Sequence, residues 1–234
     1  MSPIPREERL IVALDVPSAE EARELVAKLG DAVRFYKIGL ELFSSEGCFE
    51  LLAWLTARGN KVFADFKLYD IPETVRRAVA NLRGRGATFV TVHGHRSVME
   101  AAVREKGPMK ILAVTVLTSF DQRDLAEMGS TRSVEQLVLA RARGAAESGC
   151  DGVIASGLEA SKLKAEFKDR LLVVTPGIRP AENKSDDQKR TVDVAQAFAN
   201  GADYIVVGRP IRDAADPRAA AQAVQETIAK VFSS

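Results

Sequence analysis

The sequence predicts an α/β protein, a single (β/α)8 or TIM barrel, on three observations. Eight short β-branched runs recur along the 234 residues. Amphipathic stretches with helical spacing lie between them. The runs are near-continuously apolar, as strands are when a parallel sheet is covered on its outer side. The strand candidates are Leu10–Val16, Arg34–Ile38, Lys61–Phe66, Phe89–His93, Lys110–Val116, Gly152–Ser156, Leu171–Val174 and Tyr204–Val207. The helical stretches include Ala19–Leu29, Phe49–Ala57, Pro72–Leu82, Ser133–Ser148, Val192–Asn200 and Ala219–Val231. An open doubly wound sheet is the rival architecture. It would more often carry a Gly-rich dinucleotide turn after the first strand, whereas this strand ends Asp15-Val16-Pro17-Ser18, with Ser18 placed to cap the next helix.

Bulk properties narrow the function. A hydrophobic fraction of 46% with 28% charged residues suits one soluble domain over residues 1–234 with a substantial core. The net charge of +1 is spread along the chain, without the basic blocks that non-specific nucleic-acid binding requires. Cys48 and Cys150 are isolated from each other and from His93 and His95, so neither a disulfide framework nor a zinc site is indicated. The first nine residues contain no apolar signal core and no run is long enough to span a bilayer, which predicts a cytoplasmic protein. One long polar insertion, Arg179–Arg190 (RPAENKSDDQKR), lies after the seventh strand, where a lid over a site belongs.

In a barrel the C-terminal strand ends converge on one mouth, and polar residues stand there repeatedly. Asp15 closes the first strand, Lys37 the second, and Asp65 with Lys67 the third; Thr118 and Ser119 follow the fifth, Arg179 the seventh, and Gly208-Arg209 the eighth. Any one of these reads equally as a rim residue or a structural ion pair. The segment Asp65-Phe66-Lys67-Leu68-Tyr69-Asp70 is more specific, because residues two apart on a strand share a face and place Asp65 beside Lys67. Desolvating those charges costs several kcal/mol each, about what a fold accepts only for paired structure or for chemistry. With Lys37 and Asp70 the charges alternate, and acids flanking a lysine hold it as an ammonium, a general acid. Gly208-Arg209-Pro210, at the start of a short helical segment, offers close backbone approach and a forked donor where barrels commonly bind phosphate. The same tripeptide also reads as a tight turn with a surface arginine. His93 and His95 have no third ligand beside them and read as packing or rim residues.

Taken together these motifs resemble the orotidine 5′-monophosphate decarboxylase family over nearly the whole chain. The resemblance rests on Leu14-Asp15, Tyr36-Lys37-Ile38-Gly39, the block DFKLYDIPET from Asp65 to Thr74, Leu117-Thr118-Ser119, Thr175-Pro176-Gly177-Ile178-Arg179-Pro180, Gln188, and Val207-Gly208-Arg209-Pro210-Ile211. It implies a decarboxylase without cofactor or metal, acting on orotidine 5′-monophosphate in pyrimidine biosynthesis. Lys67 would donate the proton to the C6 carbanion, Asp65 would sit beside the substrate carboxylate, and Lys37 with Asp15 would hold the ribose hydroxyls. Thr118 and Ser119 would meet the pyrimidine edge; Arg179, Gln188, Gly208 and Arg209 would grip the phosphate. Ile71 and Pro176 would line the substrate. Asp70 and Thr74 would reach into the site of a second subunit, so the resemblance implies a homodimer.

Two other readings remain open at this level. A metal-dependent sugar-phosphate enzyme would use Asp65 with an acid on strand one or two, and Glu41 lies just past the second strand. A Schiff-base aldolase fits less well, because the acids around Lys67 push its pKa the wrong way. A non-catalytic barrel that binds a phosphorylated ligand would be expected to have lost one of Lys37, Asp65, Lys67 and Asp70, and all four are present.

Overall fold

The computed structural model describes residues 4–179 and 190–233. Eight parallel strands close in sequence order: β1 Leu10–Ala13, β2 Phe35–Ile38, β3 Lys61–Leu68, β4 Phe89–His93, β5 Lys110–Val114, β6 Gly152–Ile154, β7 Leu172–Thr175 and β8 Tyr204–Val207, with β8 pairing back onto β1. The helices are α1 Ala19–Leu29, α2 Leu40–Phe43, α3 Cys48–Ala57, α4 Pro72–Arg83, α5 Arg96–Glu105, α6 Gln122–Glu127, α7 Val134–Ser148, α8 Ala160–Phe167, α9 Val194–Ala199, α10 Arg209–Arg212 and α11 Pro217–Val231. Ser18 caps α1, accepting from the Glu21 N–H as its position suggests. The predicted barrel is the fold that forms.

Two apolar layers hold it together. One lies between strands and helices, and includes Leu10, Val12, Tyr36, Val62, Val90 and Ile205 among its buried members. The other fills the barrel, where Phe35, Phe89 and Tyr204 pack with ring centroids 5.0 to 5.9 Å apart and close the floor. Strand period then sets what stands above that floor. Two residues beyond Phe35 comes Lys37; beyond Phe63 come Asp65 and then Lys67; beyond Ile11 come Ala13 and then Asp15; beyond Tyr204 come Val206 and then Gly208. Strand period thus sets Lys37 and Asp65 above an aromatic plug, while Lys67 lies in the irregular part of β3.

Several boundaries differ from the sequence reading, for local reasons. β1, β5 and β6 stop short of Val16, Val116 and Ser156 because each keeps only one further ladder bond, from Leu14, Thr115 and Ala155 N–H respectively, before peeling off at the rim. β3 instead runs on to Leu68, but irregularly: Ala64 to Leu68 spans the same partner length as Val90 to Val92 on β4. α9 starts at Val194 rather than Val192, since Val192 bridges to Ile178 and Asp193 caps the helix by accepting from the Gln196 N–H. Of the predicted lid at 179–190, only the two ends, Arg179 and Arg190, belong to the described residues, and Gln188 lies outside them.

Candidate active site

A cavity of about 500 Å³ opens at the C-terminal mouth. Its wall gathers Asp15 from the chain just after β1, Lys37 from β2, Asp65 and Lys67 from β3, and Thr118 and Ser119 from the chain after β5. Pro176, Arg179, Gly208 and Arg209, after β7 and β8, complete the wall above an apolar base of Phe63, Val114, Ile154 and Val206. The wall therefore combines a lysine and aspartate cluster with arginines after β7 and β8, and the base is apolar.

The charges form a chain. Lys37 Nζ lies 2.8 Å from Asp15 Oδ1 and 3.7 Å from Asp65 Oδ2, and Lys67 Nζ lies 2.8 Å from the same Asp65 oxygen. The Lys37 and Asp65 side chains are only 10% and 11% exposed, whereas Lys67 at 28% opens toward the cavity. Burial alone would raise the Asp65 carboxyl, but the charges of Lys37 and Lys67 and hydrogen bonds from Lys67 and Thr91 hold it below the ordinary carboxylate value. Asp65 is thus a fixed anion, and it clamps two ammonium groups at one edge of the cavity.

Lys67 has a backbone φ of 47°, in the left-handed region that a side chain with a Cβ rarely adopts. The conformation is held by Thr91 on β4, whose hydroxyl donates to Asp65 Oδ1 at 2.9 Å and accepts from the Lys67 N–H at 2.9 Å. Strain of this kind costs of order 1 to 3 kcal/mol and persists only where the surroundings over-determine it. Here it swings Lys67 back over Asp65 at the point where β3 loses its regular register. The sequence reading placed the two side chains together by strand alternation alone; the structure brings them together through a bulge and a threonine.

Gly39 matters for a different reason. A Cβ at this position would stand 2.8 Å from Lys37 Nζ and 2.9 Å from Asp15 Oδ1, so any larger residue would part the pair. A Cβ on Gly208 would project between Ala13 and Asp15 at 3.6 and 3.9 Å, occupying space in the cavity rather than striking the protein. Arg212, three residues after Arg209 and so on the same side of α10, also lines the cavity. It donates to the Asp15 backbone carbonyl and is held by Asp213 at 2.6 and 2.9 Å. The signal for it was the second arginine of GRPIR, which a phosphate motif ending at Pro210 overlooks.

Asp70, Ile71 and Thr74 do not line this cavity. They lie exposed, Asp70 and Ile71 on the turn from β3 and Thr74 in the first turn of α4, with Ile71 67% exposed and the Asp70 carboxylate accepting from the Ile71 N–H at 2.6 Å. His93 and His95 pack against Tyr69, ring centroids 4.7 and 5.4 Å away, and burial pushes the His93 imidazole down from its usual value. His93 is half-buried and His95 exposed, one of each kind among the packing or rim residues of the sequence reading. Glu41 is exposed on α2, and among the described residues no group of three His, Cys, Asp or Glu side chains is arranged to hold a metal ion.

The fold and the mouth define a class: parallel (β/α)8 barrels with an alternating lysine and aspartate chain on the second and third strands, facing arginines that follow the seventh and eighth. Residues 8–224 match the family described as orotidine 5′-phosphate decarboxylase / HUMPS. A curated orotidine 5′-phosphate decarboxylase from Methylococcus capsulatus is 61% identical over 231 residues, spanning 98% of this chain and 96% of that protein. One from Rhodopseudomonas palustris is 50% identical, with 97% of each chain covered. The crystal structure of orotidine 5′-phosphate decarboxylase from Lactobacillus acidophilus superposes with a TM-score of 0.83 at 37% identity, covering 94% of this chain and 99% of that one. The chain belongs to the orotidine 5′-phosphate decarboxylase family. Among the described residues, no helix is long and apolar enough to cross a membrane.

Proposed function

We propose that the protein converts orotidine 5′-monophosphate to uridine 5′-monophosphate and carbon dioxide in pyrimidine biosynthesis, with Lys67 as the proton donor. The observation that carries this assignment of roles is the Asp15–Lys37–Asp65–Lys67 chain, which ends on an ammonium at the cavity wall. As the bond between C6 and the carboxylate carbon breaks, its electron pair stays on C6, in the plane of a ring that cannot delocalise it. A pre-placed cation lowers that barrier because it interacts more strongly with the carbanion than with the substrate. Lys67 supplies the charge and then the proton that forms the C6–H bond. Asp65 beside the departing carboxylate holds Lys67 in position, and the charge of Lys67 is the larger contribution to the rate.

The remaining roles follow from placement. Lys37 and Asp15, joined across the space that Gly39 leaves, are set to hold ribose hydroxyls, and Thr118 and Ser119 to meet the pyrimidine edge. Pro176 lines the cavity beside Arg179. Arg179, Arg209 and Gly208 take the phosphate, far from the reacting carbon, so its binding energy can be used to organise the site around the ring. The motif assigns Gln188 to the same group. Asp70, Ile71 and Thr74, which project from the rim without entering their own cavity, act in the site of a second copy; the working enzyme in this reading is a cytoplasmic homodimer.

Arg209→Ala is expected to lower kcat/KM by about 10- to 100-fold, the worth of one charged hydrogen-bonded contact. Steady-state assay with orotidine 5′-monophosphate checks this, and an unchanged kcat/KM removes Arg209 from the phosphate site. The same assay decides against a non-catalytic binding barrel, which would take up the ligand and release no product.

A further inference from the structure

Behind the cavity lies a buried ion pair that the roles above do not use. Arg190, just before α9, donates to Glu159 Oε1 at 2.5 Å, and the two side chains are 11% and 10% exposed. The same guanidinium donates to the backbone carbonyls of Val116 at 3.2 Å and Leu117 at 2.9 Å. The Arg190 carbonyl in turn accepts from the Ser156 hydroxyl at 3.1 Å, and that hydroxyl also receives the Leu158 N–H. One residue therefore ties together the chain segments that follow β5, β6 and β7.

The two ends of this tie lead to two different parts of the cavity lining, after β5 and after β7. Leu117 immediately precedes Thr118 and Ser119, the residues at the pyrimidine edge. Val192, two residues past Arg190, bridges to Ile178, and its carbonyl accepts from the Arg179 N–H at 3.0 Å. Arg179 is thus bonded to Val192, Val192 is two residues along the backbone from Arg190, and Arg190 is bonded to Leu117. Economy of stability does not account for the pair. Burying two ions often gains nothing over well-packed apolar side chains, and here, within the described residues, Glu159 Oε2 and Arg190 Nε are buried without hydrogen-bond partners.

We propose that Arg190, held by Glu159, is a positioning residue that couples the phosphate side of the site to the pyrimidine side. When Arg179 engages the phosphate, the strand bridge beside it fixes Arg190, and Arg190 fixes the carbonyls from which Thr118 and Ser119 hang. This rests on the assignment of phosphate and pyrimidine ends made above.

The test compares kcat/KM for orotidine 5′-monophosphate and for orotidine, which lacks the phosphate, in wild type, Arg190→Met and Arg190→Lys. Arg190→Met is expected to lose about tenfold or more on the phosphorylated substrate and less than about twofold on orotidine, so that the advantage conferred by the phosphate falls. Arg190→Lys keeps a cation opposite Glu159 but, as a point charge, cannot span to both carbonyls. It is expected to retain the thermal midpoint of the wild type and still lose the phosphate advantage. A loss equal on both substrates overturns the proposal; partial unfolding produces that same equal loss, because it scales both rates alike and cancels from the ratio. A wild type that shows no phosphate advantage overturns the assignment of ends itself, and is recognised before any variant is compared.

Discussion

Lys67→Ala is expected to lower kcat by at least about 10⁴-fold, because in the proposed mechanism it removes both a positioned charge and a general acid, each ordinarily worth two or more powers of ten. The variant should fold. Asp65 keeps Lys37 at 3.7 Å and the Thr91 hydroxyl at 2.9 Å, so its buried charge is not stranded. The left-handed φ at position 67 is unfavourable for alanine as it is for lysine, and the Thr91 contact to the backbone N–H remains available. Single-turnover assay with circular dichroism on the same sample separates lost chemistry from lost structure. A variant that is folded and within tenfold of the wild type would mean, by about 1.4 kcal/mol or less of barrier, that Lys67 is neither the charge nor the acid.

Asp65→Asn is expected to damage both stability and rate. The shape is kept but the anion between two ammonium groups is gone, and breaking a buried pair in this way costs about 3 to 5 kcal/mol. Urea unfolding reads that loss. Lys67 is released from its 2.8 Å contact, and in the proposed mechanism misplacing the proton donor costs about 100-fold in kcat. The pH dependence has a definite sign. Because the folded-state pKa of Asp65 lies below the ordinary value, its contribution is complete above the unfolded-state pKa of about 4 and disappears as pH falls through the lower, folded-state value. The stability gap between wild type and Asp65→Asn should therefore stay constant from neutrality to about pH 4 and close only below it. A gap that closes between pH 5 and 7 would assign the effect to some other group.

What the sequence makes legible here is whatever depends on local period. Eight apolar runs predict the barrel, and counting in twos from Phe35 or Phe63 reaches Lys37 and Asp65 without a structure, whereas the period breaks at the bulge before Lys67. The motif blocks locate Asp15, Thr118, Arg179 and Arg209 at strand ends, and all of them line one cavity. What the period does not carry is contact between strands. Thr91 reads as an ordinary β-prone threonine until β4 is laid beside the bulge in β3, and only then does its hydroxyl bridge Asp65 and the Lys67 backbone. Arg190 and Glu159 are separated by 31 positions and meet only because β6 and β7 are neighbours in the closed sheet. Arg212 depends on the turn of α10 toward the first strand's end. Asp70, Ile71 and Thr74 do not line the cavity of their own chain, and no period in the sequence separates them from the residues that do.

Boundaries were misread where function and regularity conflict. Lys61–Phe66 looks like a strand that should end before Lys67, since a left-handed lysine has no sequence signature; the ladder instead resumes at Leu68 after the bulge. Val192 has the apolar spacing of the helix that follows, yet it is taken by the bridge to Ile178 that positions Arg179.

The most direct test of the account follows the loss of orotate-ring absorbance when the purified protein meets orotidine 5′-monophosphate in the presence of a chelator, with Lys67→Ala assayed alongside. Rapid conversion by the wild type and none above background by the variant is the predicted result. Conversion that stops with the chelator and returns with magnesium, or that survives at the wild-type rate in Lys67→Ala, would contradict it.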